Sequence, residues 1–227
     1  MPNIEPIGYI KTDFKDKFGV PRQGGRAPSL KGKIIFYPKY RIAEAINGLE
    51  EFSHIWLLFD FSKAHREEWS PTVRPPRLGG NKRIGVFASR SPFRPNSIGL
   101  SSVVLEKIEK TKEYGNVLIV SGVDLIDETP IYDIKPYLPY TDCHPEAKGS
   151  YGQAMKDYTL EIDFPVSILE IIPEEKRSSL IECLKDDPRP SYIDDPKRIY
   201  KMQFSDFDIH FRVSGNVLTV VKCCKNN

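Results

Sequence analysis

The sequence has few cysteines, and their spacing suggests neither a disulfide framework nor a structural metal site. Of 227 residues four are cysteine (Cys143, Cys183, Cys223 and Cys224), and no two of them form a C-x-x-C pair. No apolar run approaches the roughly 20 residues of a membrane span. Residues 1–9 lack the apolar core of a secretion signal. We therefore expect a reduced, cytoplasmic protein with no metal and no membrane partner.

Several common catalytic motifs are also absent. The sequence contains no G-x-x-x-x-G-K-[ST] phosphate loop, no G-x-S-x-G elbow and no G-x-G-x-x-G that follows a strand. Gly79-Gly80 is followed by Asn81 and Lys82 and does not open a helix. The four histidines, His54, His65, His144 and His210, are scattered. A phosphate-loop ATPase, a Rossmann dinucleotide enzyme and an α/β-hydrolase are therefore not indicated.

The composition is that of an ordinary globular protein, and its first part is typical of β-structure. Hydrophobic residues make up 40% and charged residues 28% of the chain. One helix is predicted over Tyr40–Asn47, where apolar residues have helical spacing before Gly48. Short segments rich in apolar or β-branched residues predict strands over Ile4–Lys11, Gly32–Tyr37, Ser53–Phe61, Ile84–Ser89, Ile98–Ile108 and Asn116–Asp124. A closed or sandwiched β-architecture is expected for residues 1–145.

The pattern changes after a linker rich in Pro, Gly and Ser over Pro139–Asp157. A helix is predicted over Pro173–Leu184, with glutamates in its first turn. Three alternating strands follow, and the Ser214-Gly215-Asn216 turn joins the last two into a hairpin. Residues 146–227 are therefore expected to form a small α+β domain. The predicted fold class is mainly β with an α+β tail.

Charge is distributed unevenly along the chain. The formal net charge is only +2, yet the segment from Trp69 to Leu105 contains no Asp or Glu. Its prolines and glycines would restrain the loops that carry its cations. Such a surface favours phosphate or carboxylate recognition, although solvated loop arginines remain an alternative. The cations in this segment are Arg74, Arg77, Lys82, Arg83, Arg90 and Arg94.

An acidic segment lies further along, in Val123–Pro139. Asp124, Asp127, Glu128 and Asp133 occur there close to the end of a predicted strand. Carboxylates at this spacing could act as general bases or hold hydroxyls and amines, but they could equally form a simple turn. No histidine lies among them, so a zinc or iron site is not indicated.

The block Arg74–Ser101, RPPRLGGNKRIGVFASRSPFRPNSIGLS, resembles the signature of the TsaA-like family of S-adenosylmethionine-dependent tRNA (adenine-N6)-methyltransferases. Four further blocks match the family in the same order. They are Phe18–Gln23 (FGVPRQ), Phe52–Phe61 (FSHIWLLFDF), Val123–Pro139 and Asp187–Tyr192 (DPRPSY). The arginine–proline block is highly specific, whereas DPRPSY alone would be weak.

This resemblance implies a closed, single-sheet β-barrel that binds S-adenosylmethionine without a Rossmann fold. It also implies a homodimer whose two chains build the active site together. The implied substrate is N6-threonylcarbamoyladenosine next to the anticodon in tRNA. The family often has His followed by Gln where this chain has Ser62 and Lys63. The cofactor residues carried over from the family are Pro21, Arg22, Gln23, Ser62, Lys63, Arg90, Leu100, Asp124, Leu125, Ile126 and Asp127.

Methylation of a ureido nitrogen requires removal of its proton, so a proton acceptor is expected near the site. Asp133 and Tyr137 follow the implied cofactor loop and are the predicted catalytic candidates. Two other functions remain open, namely a non-catalytic module that binds RNA or S-adenosylmethionine, and a methyltransferase with a different substrate. The predicted contacts with the threonyl carboxylate, the loop phosphates and the stacked bases are Arg74, Arg77, Arg83, Phe93, Arg94, Arg189 and Tyr192.

Overall fold

The computed structural model describes residues 4–75, 82–153, 157–190 and 195–226. The predicted Arg77 and Tyr192 lie outside these residues. The architecture is mainly β, as predicted. The strands are β1 Gly8–Lys11, β2 Lys31–Phe36, β3 His54–Asp60, β4 Thr72–Val73, β5 Ile84–Gly85, β6 Ile98–Thr111, β7 Gly115–Ser121, β8 Thr129–Pro136, β9 Glu161–Asp163, β10 Tyr200–Phe204, β11 Phe207–Ser214 and β12 Val217–Lys225. The helices are α1 Pro139–Asp142, α2 Ser150–Gln153, α3 Val166–Leu169 and α4 Glu174–Lys185.

Six antiparallel strands form a closed barrel in the order β1-β2-β7-β6-β3-β8, and β8 pairs back with β1. The residues alternate between the barrel interior and its surface, as strand geometry requires. In β3, for example, Ile55, Leu57 and Phe59 are buried. Gly99 on β6 faces Phe59, and a Cβ there would lie 2.2 Å from the phenylalanine ring. Glycine is therefore required where β6 begins.

The C-terminal part is a four-stranded sheet in the order β10-β11-β12-β9, packed with α4. Strands β11 and β12 form the predicted hairpin, with Ser214 opposite Val217. Leu180, Cys183 and Leu184 form the buried apolar stripe of α4. The three-residue strand β9, which pairs in parallel with β12, was not predicted.

The segment between β1 and β2 joins the barrel to the C-terminal sheet. Phe14 packs edge-on against Phe204 at 5.4 Å, and Phe18 stacks on Tyr200 and Phe211. One cluster of buried side chains runs through the barrel and the C-terminal sheet. The barrel and the C-terminal sheet therefore share one hydrophobic core.

Two predictions of secondary structure are corrected by the structure. The helix predicted over Tyr40–Asn47 is replaced by short 3₁₀ helices at Pro38–Tyr40, Ala43–Ile46 and Leu49–Glu51. None of these helices buries a residue, and an α-helix this short is not stable without packing.

The strand predicted over Ile84–Ser89 covers only Ile84–Gly85, since Val86–Ala88 turns as a 3₁₀ helix to bury Val86. The acidic segment does turn at Asp127 and Glu128, where the Thr129 N–H donates to the Ile126 carbonyl, and it then continues into β8, which was not predicted. There Thr129 and Ile131 are buried while Asp133 and Lys135 project outward. The register between β3 and β8 shifts between Leu58 and Phe59, so burial does not alternate regularly along β8.

Candidate active site

A cleft of about 930 Å³ lies between one end of the barrel and the C-terminal part. The antiparallel pairing places Asp60 at the end of β3 opposite Ile98 at the start of β6. Loops next to these strand ends form one wall of the cleft. Residues 183–190, at the end of α4 and just after it, form the opposite wall. The chain therefore folds so that segments far apart in sequence meet at one cavity.

The cleft collects nearly all of the residues that the family resemblance implied for the cofactor. The segment after β1 contributes three of them, the end of β3 two, and the loops around β6 and β8 the rest. Several apolar side chains, among them Phe18, Phe59 and Ile98, complete the lining. The predicted cofactor residues that line the cleft are Pro21, Arg22, Gln23, Ser62, Lys63, Arg90, Leu100, Asp124, Leu125 and Ile126.

Asp127 is the predicted cofactor residue that does not line this cleft. Its Oδ1 accepts a hydrogen bond of 2.9 Å from the backbone N–H of Thr12, and its Oδ2 lies 3.6 Å from the Lys11 ammonium. Its backbone N–H also donates to the carbonyl of Phe14. These contacts tie the loop before β8 to β1 and the segment after it. The Asp127 carboxylate therefore has a structural role that requires no bound ligand.

Arg22 and Arg90 are held by different partners. The Arg22 guanidinium donates to the carbonyls of Asp187, at 3.2 Å, and Arg189, at 2.6 Å. Arg90 donates to the side-chain oxygen of Gln23 at 2.6 Å. The C-terminal loop therefore orients one cation of the cleft, and Gln23 orients the other.

Asp124 gives the sharpest indication that a polar ligand belongs in this cleft. Its Oδ1 is buried and has no hydrogen-bond partner among the described residues. Burial raises the pKa of this carboxyl, although hydrogen bonds from Ser101 and the Gly24 backbone and the nearby Arg90 act in the opposite direction. A buried acceptor without a partner is costly unless a ligand supplies the donor. A ribose hydroxyl or the ammonium group of S-adenosylmethionine is such a donor, so the residues present fit this cofactor.

The predicted proton acceptors are not brought to this cleft. Asp133 lies four residues along β8 from Thr129, about 13 Å at the usual strand rise, and pairs with Lys135 at 2.8 Å. Tyr137 packs against Trp56 and His54, with ring centres 5.5 and 6.0 Å away. Burial and the neighbouring Cys143 and Asp142 raise the pKa of Tyr137. The structure therefore gives neither residue a contact with the cleft of its own chain.

The predicted substrate residues fall into two groups. Phe93, Arg94 and Arg189 line the cleft. Arg74 and Arg83 are exposed outside it, where Arg83 donates to Thr72 at 3.3 Å across the β4–β5 ribbon. The structure thus separates residues that could contact a reacting base from residues that could contact the phosphate backbone of an RNA.

Sequence reasoning missed other parts of the cleft wall, notably Asp186 and Asp187. Asp187 lies within the DPRPSY block that carried part of the resemblance. Its carboxylate binds Arg189 at 2.9 and 3.0 Å and accepts the Tyr158 hydroxyl at 2.9 Å. The sequence block therefore indicated that this loop matters, but only the structure shows that the loop forms part of the cleft wall.

Comparison with known proteins agrees with this arrangement. Residues 9–143 match the family model of the tRNA-methyltransferase O N-terminal domain, and residues 157–226 match that of the TrmO C-terminal domain. The chain belongs to the tRNA-methyltransferase O family. The resemblance seen in the sequence is thereby confirmed, and the protein is an enzyme of this methyltransferase family.

Individual relatives cover almost the whole chain. A tRNA (adenine(37)-N6)-methyltransferase of Escherichia coli is 41% identical over 219 residues, which is 93% of each chain. A putative S-adenosylmethionine-dependent methyltransferase of Pseudomonas aeruginosa is 40% identical over 217 residues, covering 92% of this chain and 91% of that protein. The crystal structure of TrmO from Pseudomonas aeruginosa superposes with a TM-score of 0.78 at 33% identity over 99% of both chains.

Within the described ranges, no group of three or more His, Cys, Asp or Glu side chains is placed to hold a metal ion. No helix in the described part of the chain is long and apolar enough to cross a membrane.

Proposed function

We propose that the protein transfers the methyl group of S-adenosylmethionine to N6 of threonylcarbamoyladenosine next to the anticodon in tRNA. The observation that carries this proposal is the cleft, which gathers separate cofactor segments around the buried Asp124 carboxylate, whose Oδ1 has no hydrogen-bond partner among the described residues. The printed names of the relatives, a tRNA (adenine(37)-N6)-methyltransferase and a putative S-adenosylmethionine-dependent methyltransferase, support it.

The bound cofactor would supply an electrophilic methyl group on a sulfonium. The chain's own contribution is to hold the nucleophile in line with that methyl group and to exclude water. Apolar side chains such as Phe59, Phe61 and Leu125 line the cleft and suit this second task. Arg22, Arg90 and Asp124 supply the charges that would orient the cofactor.

Arg94 is the proposed partner of the threonyl carboxylate. Its Nη1 donates to the carbonyls of Ser89, at 3.0 Å, and Ser91, at 3.4 Å, so its own loop holds the guanidinium in place. Its remaining donors can form a charge-assisted pair with a carboxylate. Arg74, Arg77 and Arg83 would follow the anticodon-loop phosphates, and Phe93, Tyr137 and Tyr192 are proposed stacking platforms.

The enzyme is further proposed to act as a homodimer in the cytoplasm. Large apolar side chains stay exposed in and near the cleft segments, among them Leu100 at 51% and Phe87 at 72%. Exposed apolar surface of this kind is typical of an interaction site. A second copy that covers it would exclude water from the methyl transfer.

The proposal is tested with purified protein, S-adenosylmethionine and tRNA that carries the threonylcarbamoyl group. Nucleoside mass analysis should show a gain of one methyl group on the modified adenosine, together with S-adenosylhomocysteine. Calorimetry should detect binding of both S-adenosylmethionine and S-adenosylhomocysteine. If both ligands bind but no tRNA nucleoside gains mass, the protein is a binding module or acts on another substrate.

Replacing Arg94 tests the assignment of the threonyl carboxylate. Wild type should prefer tRNA with the threonylcarbamoyl group, and Arg94→Ala should lose roughly 10- to 150-fold in kcat/KM on that tRNA. Overall tRNA affinity should change little, and the matched Arg83→Ala variant should keep the preference. Equal losses on modified and unmodified tRNA would mean that Arg94 holds a phosphate or its own loop.

A further inference from the structure

A second groove of about 530 Å³ adjoins the cofactor cleft. It is formed by the loop after β3, the loop before β6, and Tyr132 on β8. A shared wall divides the two cavities, because the residues common to both linings are Asp60, Ala64, Phe93, Arg94, Asn96 and Ile98. A group that occupies the groove would therefore be next to the proposed cofactor.

Asp60 and His65 form a hydrogen-bonded pair at this wall. Asp60 ends β3, and a turn closed by the Ala64 N–H and the Phe61 carbonyl brings the chain back toward it. His65 Nε2 lies 2.7 Å from Asp60 Oδ1. The aspartate side chain is only 12% exposed, whereas the histidine side chain is 59% exposed. The structure thus places a sheltered carboxylate behind an imidazole that lines the groove.

The chemistry of this pair fixes which nitrogen carries the proton. An ionised carboxylate can only accept, so Nε2 of a neutral His65 is the N–H donor. Nδ1 then keeps its lone pair and can take up a proton. Burial and the Asp60 charge raise the pKa of Tyr132, which also lines the groove, so this phenol stays protonated. The Asp60 carboxylate therefore fixes the tautomer and the orientation of the His65 ring.

The groove also has the features of a base-binding site. The Arg66 guanidinium lies over the Phe93 ring at 3.6 Å from its centre. Trp69, also in the groove lining, is half exposed and stacks on Phe87 with ring centres 6.2 Å apart. Aromatic rings and arginine planes are the surfaces on which unpaired RNA bases stack. The groove thus suits a single splayed base better than a double helix.

We propose that the groove receives the target adenine base and that His65, oriented by Asp60, accepts the N6 proton. The proposal rests on the methyl-transfer function given above. The N6–H bond breaks, its proton moves to Nδ1 of His65, and the electron pair stays on N6. That pair forms the new bond to the methyl carbon, while the C–S bond breaks and its electrons remain on sulfur. The exposed imidazolium then returns its proton to water.

The test compares His65→Ala, His65→Gln and Asp60→Asn with wild type in single-turnover methylation of tRNA. Loss of a general base should lower the rate of His65→Ala about 100- to 10,000-fold. S-Adenosylmethionine affinity, measured by calorimetry, should stay within a few-fold of wild type. Added imidazole should restore part of the His65→Ala rate. Asp60→Asn should lose rate because an amide no longer fixes the tautomer.

The matched control is His144→Ala, an exposed histidine that also has a carboxylate neighbour, Glu146 at 3.7 Å, but lines neither cavity. It should keep the full rate. If wild type methylates tRNA and His65→Ala is equally fast, the assignment of His65 is overturned while the methyl-transfer function stands. If wild type itself transfers no methyl group to tRNA, both proposals fall. A slow His65→Ala that imidazole does not rescue would assign His65 a structural role.

Discussion

At the scale of single residues, Asp124 shows a conflict between stability and binding. Burial raises the pKa of this acid in the folded state, so the folded protein holds the proton more tightly than the unfolded chain. The resulting penalty is absent below the ordinary value of 3.8 and is fully present above the raised pKa. At neutral pH the carboxylate therefore destabilises the free enzyme, and a ligand donor would offset that cost.

Asp124→Asn should separate these two effects. We expect the free variant to be at least as stable as wild type at neutral pH, because no charge remains buried. Its affinity for S-adenosylmethionine should fall roughly 10- to 150-fold, the value of a lost hydrogen bond to a charged group. Wild-type affinity should also weaken as the pH falls through the raised pKa, and this dependence should vanish in the variant.

Thermal unfolding and calorimetry across a pH series measure both quantities. Glu109→Gln serves as the control, since this exposed carboxylate on β6 pairs with Lys107 outside the cleft. It should change neither ligand affinity nor its pH dependence. A variant of Asp124 that loses stability but binds the cofactor normally would contradict the assignment.

At the scale of elements, local patterns were readable from the sequence and non-local pairings were not. Helix α4 and the β11–β12 hairpin were predicted because an apolar stripe and a Gly-containing turn specify them locally. Strand β8 was missed, because its pairing with β1 and β3 depends on residues that are distant in the sequence. Most of the residues that the motif blocks assigned to the cofactor line one cleft. The Asp60–His65 pair was not, because a chain turn rather than a motif brings these two residues together.

The loop 186–190 is the element whose role can be tested most directly. Asp187 has a left-handed backbone with φ of 52°. Burial alone would raise the pKa of its carboxyl, but hydrogen bonds from Arg189 and Tyr158 outweigh burial and hold the pKa below its usual value. These interactions contribute stability above the unfolded pKa, and that stability is lost as the pH falls through the lowered one. The loop carbonyls in turn hold Arg22.

Tyr158→Phe removes one hydrogen bond from this loop, while the buried Asp187 carboxylate keeps its pair with Arg189. We expect a loss of about 1.5 to 3 kcal/mol in unfolding free energy, the value of a hydrogen bond to a charged group, and a several-fold weaker affinity for S-adenosylmethionine, transmitted through Arg22. Denaturant unfolding and calorimetry provide the two measurements. Tyr140→Phe, at an 86% exposed tyrosine on α1, should change neither. If Tyr158→Phe lowered stability alone, the loop would support the fold without positioning the cleft.

At the scale of the whole molecule, the net charge is close to zero, but the positive charge is concentrated in one region. Residues 69–105 carry no Asp or Glu, and within the described part of this stretch Arg74 and Arg83 are exposed on or next to the β4–β5 ribbon. The same stretch supplies Arg90 and Arg94 to the cleft. A polyanion attracted to the ribbon would thus be guided toward the reacting site.

The dependence of tRNA binding on salt tests this arrangement. Each lost phosphate contact lowers the slope of log K against log salt by about one. Arg74→Gln and Arg83→Gln should each weaken binding at low salt and flatten the slope, and the double variant should do both more strongly. Lys112→Gln is the matched control, because this exposed lysine follows β6 at the end of the strand away from the cleft. An unchanged slope in the double variant would assign these arginines to solvated surface and require the tRNA path to run elsewhere on the barrel.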